Sequence, residues 1–174
     1  RLHLALYILL GLVVLLAAAT LVGLEPVPAR LTPDSADLKR VQVRDRRGVP
    51  LSVTYENDWN LHDLVALEAM PLLLRQAFVM AEDQRFYDHH GPDWQARLHA
   101  AWQNLRAGRA VRGASTISEQ TVRMLHPRPR TLWSRWLEGW EAQALERRFS
   151  KEQILEFYLN QVPYSGRRRG VAQA

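Results

Sequence analysis

Two glutamates, a serine–threonine pair and a group of arginines have the types and spacing to do chemistry in this chain. The densest polar cluster is AEDQRFYDHHGPDW, residues 81–94. Glu82 falls at the end of a helical period, where unpaired carbonyls carry partial negative charge. That field disfavours an ionised carboxylate, which suits a general base. On the residues alone, a solvated acidic turn paired with Arg85 is the plainer reading of Glu82. His89 and His90 invite a metal, but adjacent loop histidines without a third ligand at helical spacing point to structural hydrogen bonding. In residues 112–130, Ser115 and Thr116 stand where a helix cap would aim free N–H groups at an anion. Arg123, Arg128 and Arg130 add positive charge nearby. A diphosphate suits this arrangement; so does an ordinary capped helix with a basic end. In residues 134–148, Arg135 and Glu138 are three apart, the spacing of a surface ion pair. Trp133, Trp136, Trp140 and Ala144 form a stripe on the same helix. The stripe fits either the core or an interfacial belt against lipid; core is the expectation, because a helix that presents Glu138 must be held rigidly.

The elements that must position these residues are mostly helical. Val41 and Val43, then Leu51, Val53 and Tyr55, alternate with polar residues around a turn at 45–48, which predicts a small β-hairpin. From Asp63 the period becomes helical. Pro71 suits a first helical turn, and Leu74, Ala77, Phe78 and Ala81 share one face of a helix ending near 82–85. Further helices are expected over 94–105, 116–125 and 131–149, with His126-Pro127-Arg128-Pro129 as a break. Gly108 to Ala114 reads as loop. Ser150 with Gln153 makes a capping box, and Phe149 with Ile154 a hydrophobic staple, for a last helix that buries Ile154, Leu155, Tyr158 and Leu159.

Residues 2–24 contain no Asp, Glu, Lys or Arg. As a helix they span roughly 34 Å, enough for a bilayer core of about 30 Å. The run exceeds the apolar core of a cleavable signal peptide, so a retained anchor is expected. Residues 25–38, with three prolines and no periodicity, read as a juxtamembrane linker. The remainder, 39–174, is about one domain. The absence of cysteine excludes disulfides and thiolate metal sites. The net charge is +5 and almost all the positive charge is arginine, with Lys39 and Lys151 the only lysines. Arginine binds phosphate oxygens in a bidentate fork. The basic residues are interleaved with glutamates rather than gathered in one patch, which argues against nucleic acid.

Together these clusters resemble glycosyltransferase family 51, the peptidoglycan transglycosylase domain of class A penicillin-binding proteins and of monofunctional transglycosylases. Glu82-Asp83-x-x-Phe86-x-x-His89-x-Gly91-x-Asp93 is similar to the family's first motif. Gly113-Ala114-Ser115-Thr116-Ile117-Ser118-x-Gln120, with Arg123, is similar to its second. Arg135-x-x-Glu138 resembles part of the third, and Lys151-x-x-Ile154-Leu155-Glu156-x-Tyr158-Leu159-Asn160 the fourth. Gly166 with Gly170-Val171 resembles the start of the fifth. The resemblance implies a mainly α fold: a lysozyme-like helical lobe with a smaller lobe that dips into the membrane. It implies that lipid II is polymerised into β-1,4 glycan by one inverting displacement that releases undecaprenyl diphosphate. Glu82 matches the base for the acceptor 4-hydroxyl. Glu138 matches a second glutamate that supports the leaving diphosphate, directly or through a divalent cation, Mg²⁺ or Mn²⁺; no organic cofactor is implied. Arg123 and Arg130 match diphosphate-binding residues, Arg135 keeps a cation of the third motif, and Ser115, Thr116 and Gln120 match substrate-contacting positions. Implied partners are lipid II, the growing glycan, the membrane and other cell-wall synthesis proteins. The implied location is a single-pass protein of the bacterial inner membrane with its domain on the periplasmic side.

The sequence departs from the family in three places. Ser134-Arg135 stands where Arg-Lys is usual. Glu119 replaces a neutral residue, which sets a negative charge near the diphosphate site. Pro92 replaces an aliphatic residue. The family domain is also expected to continue past Ala174, which makes 39–174 a domain cut short. The competing functions are a non-catalytic, membrane-anchored partner in cell-wall synthesis with a degenerate domain, and a lysozyme-like hydrolase. Retention of both Glu82 and Glu138 speaks against the first, and the arginines with the anchor speak against the second.

Overall fold

A computed structural model describes residues 2–32, 43–49, 51, 59–61, 63–109, 113–164 and 169–172. Six α-helices carry it: α1 Leu2–Gly23, α2 Leu72–Glu82, α3 Trp94–Ala107, α4 Ile117–Leu125, α5 Leu132–Arg148 and α6 Lys151–Gln161, with a 3₁₀ turn at Leu67–Ala69 before α2. The fold is mainly helical, as expected. Among the described residues no strand forms. The turn at Asp45 is present, with Asp45 N–H donating to Val49 O at 2.8 Å and Leu51 N–H to Val43 O at 2.8 Å. Val41, Val53 and Tyr55 of the expected hairpin lie outside the described residues, as does Gly166.

Helix α1 is long and apolar enough to cross a membrane. It does not serve as a core helix, because Leu4 to Leu16 leave their apolar side chains outside the folded body. Such a surface in water would be costly, and lipid removes the cost. Its last turn meets the domain, through Thr20 on Trp136 and Gly23 beside Leu137. Residues 25–32 then run along the domain, with Val27 and Leu31 packed against its core.

The core lies where α4, α5 and α6 meet. Ile117, Val122, Ala142, Leu145, Ile154, Leu155, Tyr158 and Leu159 fill it, joined by Phe86 and by Leu67 and Met70 around the 3₁₀ turn. The helix boundaries follow from their caps. Thr131 caps α5 and Asp93 caps α3. The capping box of Ser150 and Gln153 opens α6 as the sequence requires. Phe149 packs against the cluster that holds Ile154.

Two expected faces differ. Helix α2 buries no residue fully; Phe78 and Val79 lean on the core, whereas Ala77 and Ala81 are exposed. On α5 the buried side is Ser134, Leu137, Glu138, Gly139, Glu141, Ala142 and Leu145. The tryptophan stripe is therefore not core. Trp133 and Trp140 remain 40% and 45% exposed, and Trp136 donates its Nε1–H to Thr20 Oγ1 of α1 at 2.9 Å. Small and charged residues take the inner side instead because α4 crosses close to α5, and the two buried glutamates there find partners.

Candidate active site

Glu82 is the last residue of α2, and the loop after it is rigidly held. Asp83 is buried and accepts the Ile117 N–H of α4 at 3.0 Å and His89 Nε2 at 2.9 Å. Phe86 is completely buried, with the Lys151 ammonium 4.4 Å from its ring centre. Arg85 pairs with Asp93, not with Glu82, and Asp93 also caps α3 through the Ala96 N–H at 2.8 Å. Gly91 adopts φ +73°, and a Cβ there would lie 2.7 Å from the Gln143 backbone nitrogen, so only glycine allows this approach to α5. The loop thus holds Glu82 at its root while the carboxylate itself stays exposed.

The carboxylate is oriented from one side. Gln120 Nε2–H donates to Glu82 Oε2 at 3.0 Å, and Tyr158 O–H donates to Gln120 Oε1 at 3.2 Å. Burial raises the pKa of the Tyr158 phenol, so it stays a donor. The sequence marks Tyr158 as a buried residue of α6; its place behind Gln120 depends on how α6 packs across α4.

Glu82 lies on the shared wall of two cavities. One, of about 330 Å³, is lined by Ala81, Glu82, Gly113, Ser115, Gln120, Arg123, Arg130, Arg135 and Glu138. The other, of about 470 Å³, extends past Glu82 to Gln84, Arg85, Gln95 and His99. All eight sequence-selected residues therefore surround this region. Seven line the first cavity, and Thr116 lines the second. Thr116 is buried, its hydroxyl donating to Gly91 O at 2.9 Å and accepting the Glu119 N–H.

The ion pairs differ from those that spacing suggests. Glu138 is buried and accepts both arms of Arg123, at 3.0 Å to Oε1 and 2.7 Å to Oε2, so it does not pair with Arg135. Arg123 also reaches Ser115 Oγ at 3.4 Å. Among the described residues neither Arg130 nor Arg135 has an ion-pair partner. Three guanidiniums against the two carboxylates Glu82 and Glu138 leave the cavity with a net charge of +1 before any ligand enters.

Two further expectations are corrected. The first turn of α4 is not open to an external anion. Asp83 takes the Ile117 N–H and Glu119 takes the Thr116 N–H at 2.9 Å, so protein carboxylates occupy the helix end. Nor does Glu119 load the cavity with negative charge. It is buried, completes the capping box with Thr116 and pairs with Arg97 of α3, beside Gly139, whose missing side chain leaves room for that pair. Burial raises the Glu119 pKa, with Arg97 and the Thr116 N–H opposing.

A divalent cation does not fit at Glu138, since one guanidinium engages both its oxygens and two more arginines share the cavity. Asp83, His89 and Asp93 offer ligand atoms within 4.8 Å of one another and could gather round an ion. Their oxygens already serve His89, the α3 and α4 backbones and Arg85, which accounts for the cluster as a hydrogen-bonded lock. His90 is exposed.

The family model described as Transglycosylase matches residues 47–174. The chain is similar to penicillin-binding protein 1A of Escherichia coli, 35% identical over 170 residues that cover 92% of this chain and 19% of that protein. It is also similar to penicillin-binding protein 1C of Escherichia coli, 36% identical over 63% of this chain and 14% of that protein. With a monofunctional glycosyltransferase of Staphylococcus epidermidis it shares 38% identity over 60% of this chain and 39% of that protein. The chain thus spans well under half the length of each of these relatives.

Proposed function

The chain belongs to the transglycosylase family, and from that premise we propose that it is a membrane-anchored peptidoglycan glycosyltransferase that joins lipid II units into β-1,4 glycan. The observation that carries this reading is Glu82 standing between a cationic cavity and a second one whose lining sets Glu82, Asp83 and Asp93 against Arg85 alone. A donor sugar on diphosphate suits the cationic side and an acceptor hydroxyl suits the other. Glu82 removes the proton of the acceptor 4-hydroxyl as its oxygen attacks the donor's anomeric carbon. The new C1–O4 bond forms as the bond from C1 to the diphosphate oxygen breaks, so the anomeric centre inverts. Both electrons of the broken bond leave with undecaprenyl diphosphate. Arg123, Arg130 and Arg135 meet the charge that develops on that leaving group. Glu138 holds Arg123 in its fork, so its support for the leaving group runs through an arginine, and no step passes through a metal. The helical body is read as the lysozyme-like lobe, with the turn at 45–48 as the tip of a small hairpin. The anchor, 1–24, holds the domain that begins near residue 39 on the periplasmic face of the inner membrane by a single pass, with 25–38 between them.

The test is polymerisation of labelled lipid II by full-length protein in detergent. Wild type is expected to build glycan chains, and Glu82→Gln to lose about 10²–10⁴-fold in rate with unchanged unfolding, because the swap keeps shape and removes the proton acceptor. Wild-type turnover by Glu82→Gln would take Glu82 out of the mechanism. No polymer from either protein would favour the non-catalytic alternative.

A further inference from the structure

The last turn of α1 is bound into the scaffold of the cationic cavity. Glu141 lies one turn beyond Glu138 on the buried side of α5 and is 2% exposed. Its two oxygens receive Arg128 Nη2 at 2.7 Å and Nη1 at 3.0 Å, His126 Nδ1 lies 3.1 Å from Oε2, and the Glu25 backbone N–H donates to Oε1 at 2.8 Å. Arg128 reaches on to the carbonyl of Gly23, the last residue of α1, at 3.2 Å, and lies 3.5 Å from the Glu25 carboxylate. A guanidinium there satisfies a helix-end carbonyl and meets the negative end of the α1 dipole. Packing completes the joint: a Cβ on Gly23 would lie 3.0 Å from Leu137 Cδ1, and Trp136 holds Thr20.

Arg128 is two residues from Arg130, and prolines 127 and 129 flank it. Proline fixes φ and restricts the residue before it. The stretch from His126 to Arg130 therefore has little slack, and a shift of Arg128 moves Arg130. Glu138 and Glu141 share one helix, so a shift of α5 moves Glu138 as well. Building on the proposed reading of the cavity as a diphosphate site, we infer that the anchor's last turn is a positioning element for Arg130 and Glu138. It acts through Arg128 and Glu141 as positioning residues and is not a passive tether.

The test inserts two glycines between Leu24 and Glu25 of the full chain in detergent. This uncouples Gly23 from Glu25 and leaves every cavity side chain in place. Inorganic diphosphate binding and lipid II kinetics are measured beside thermal unfolding. A misplacement on the ångström scale is expected to weaken diphosphate binding by about tenfold or more and to lower kcat along with raising KM, at an unchanged unfolding midpoint. Equal binding and equal kinetics in the two proteins would overturn the inference. If the insertion lowers the midpoint, Arg128→Lys decides: it keeps the charge but loses the fork, so wild-type diphosphate affinity in that variant overturns the inference and weakened affinity with an intact fold supports it. Diphosphate binding by wild type without glycan formation would sink the polymerase reading and leave the coupling to be judged by binding alone. A wild-type protein that binds no diphosphate overturns the inference.

Discussion

Gln120 holds one oxygen of Glu82 and leaves the other facing the cavities, and Tyr158 holds Gln120 in that pose. The orientation of the base thus depends on a phenol in a different helix. Tyr158→Phe removes the hydroxyl and keeps the ring in the core. One neutral hydrogen bond is worth about 1 kcal/mol net, so lipid II turnover should fall by about 3- to 10-fold and the unfolding midpoint by only a few degrees. A variant with wild-type kcat would show that Gln120 is placed by its own packing. At the same scale, Arg123 occupies both oxygens of Glu138. Chelation with EDTA is therefore expected to leave the polymerisation rate unchanged; a loss restored by Mg²⁺ or Mn²⁺ would mean that substrate binding opens the Arg123–Glu138 pair.

Among the elements, α5 carries the most consequence, because its inner side holds two buried carboxylates. Burial opposes ionisation of Glu141, but His126, Arg128 and the Glu25 N–H overcome it and hold the carboxyl at about 2 against an ordinary 4.5. A depressed carboxyl gives stability that is fully present above the unfolded pKa and is lost as pH falls through the folded one. Wild type should therefore exceed Glu141→Gln in unfolding midpoint above pH 4.5, and the two should converge between about 4.5 and about 2. A gap that does not change across that window would assign the effect to packing. The cap of α6 and the break after α4 were legible in the sequence, because Ser150 with Gln153 and the proline-rich stretch act over three or four residues; the Thr131 cap of α5 was not singled out. Partners across helices were not. Glu119 reads as a stray charge until α3 brings Arg97 to it, and Glu138 reads as the neighbour of Arg135 until α4 delivers Arg123. Which residues gather round the cavities was legible through their likeness to the family's motifs; their pairing depends on crossing geometry that no local pattern encodes. The tryptophan stripe of α5 was misread since aromatic spacing alone does not say which side faces the core.

For the whole molecule, the exposed face of α5 and the anchor belong to one surface. Leu132 is 86% exposed, and Trp133 and Trp140 stand near the turn where Trp136 meets Thr20. Amphipathic rings in that place suit the headgroup layer. In a variant that retains only Trp133 and Trp140 of the six tryptophans, brominated lipid should quench the emission in reconstituted vesicles. Unquenched emission would place this face away from the bilayer.

The joint between anchor and domain also has a history in the making of the chain. Glu25 and Glu141 are 116 residues apart, and Thr20 and Trp136 likewise. At about 5–20 residues per second, the ribosome needs roughly 6–23 s after completing the anchor before its partners exist. Through that interval the membrane already holds α1 while its last turn waits, its final carbonyl and the Glu25 N–H served by water or lipid headgroups. The nascent protein is tethered before it is seated, and arrival of the second half of α5 is the event that seats it.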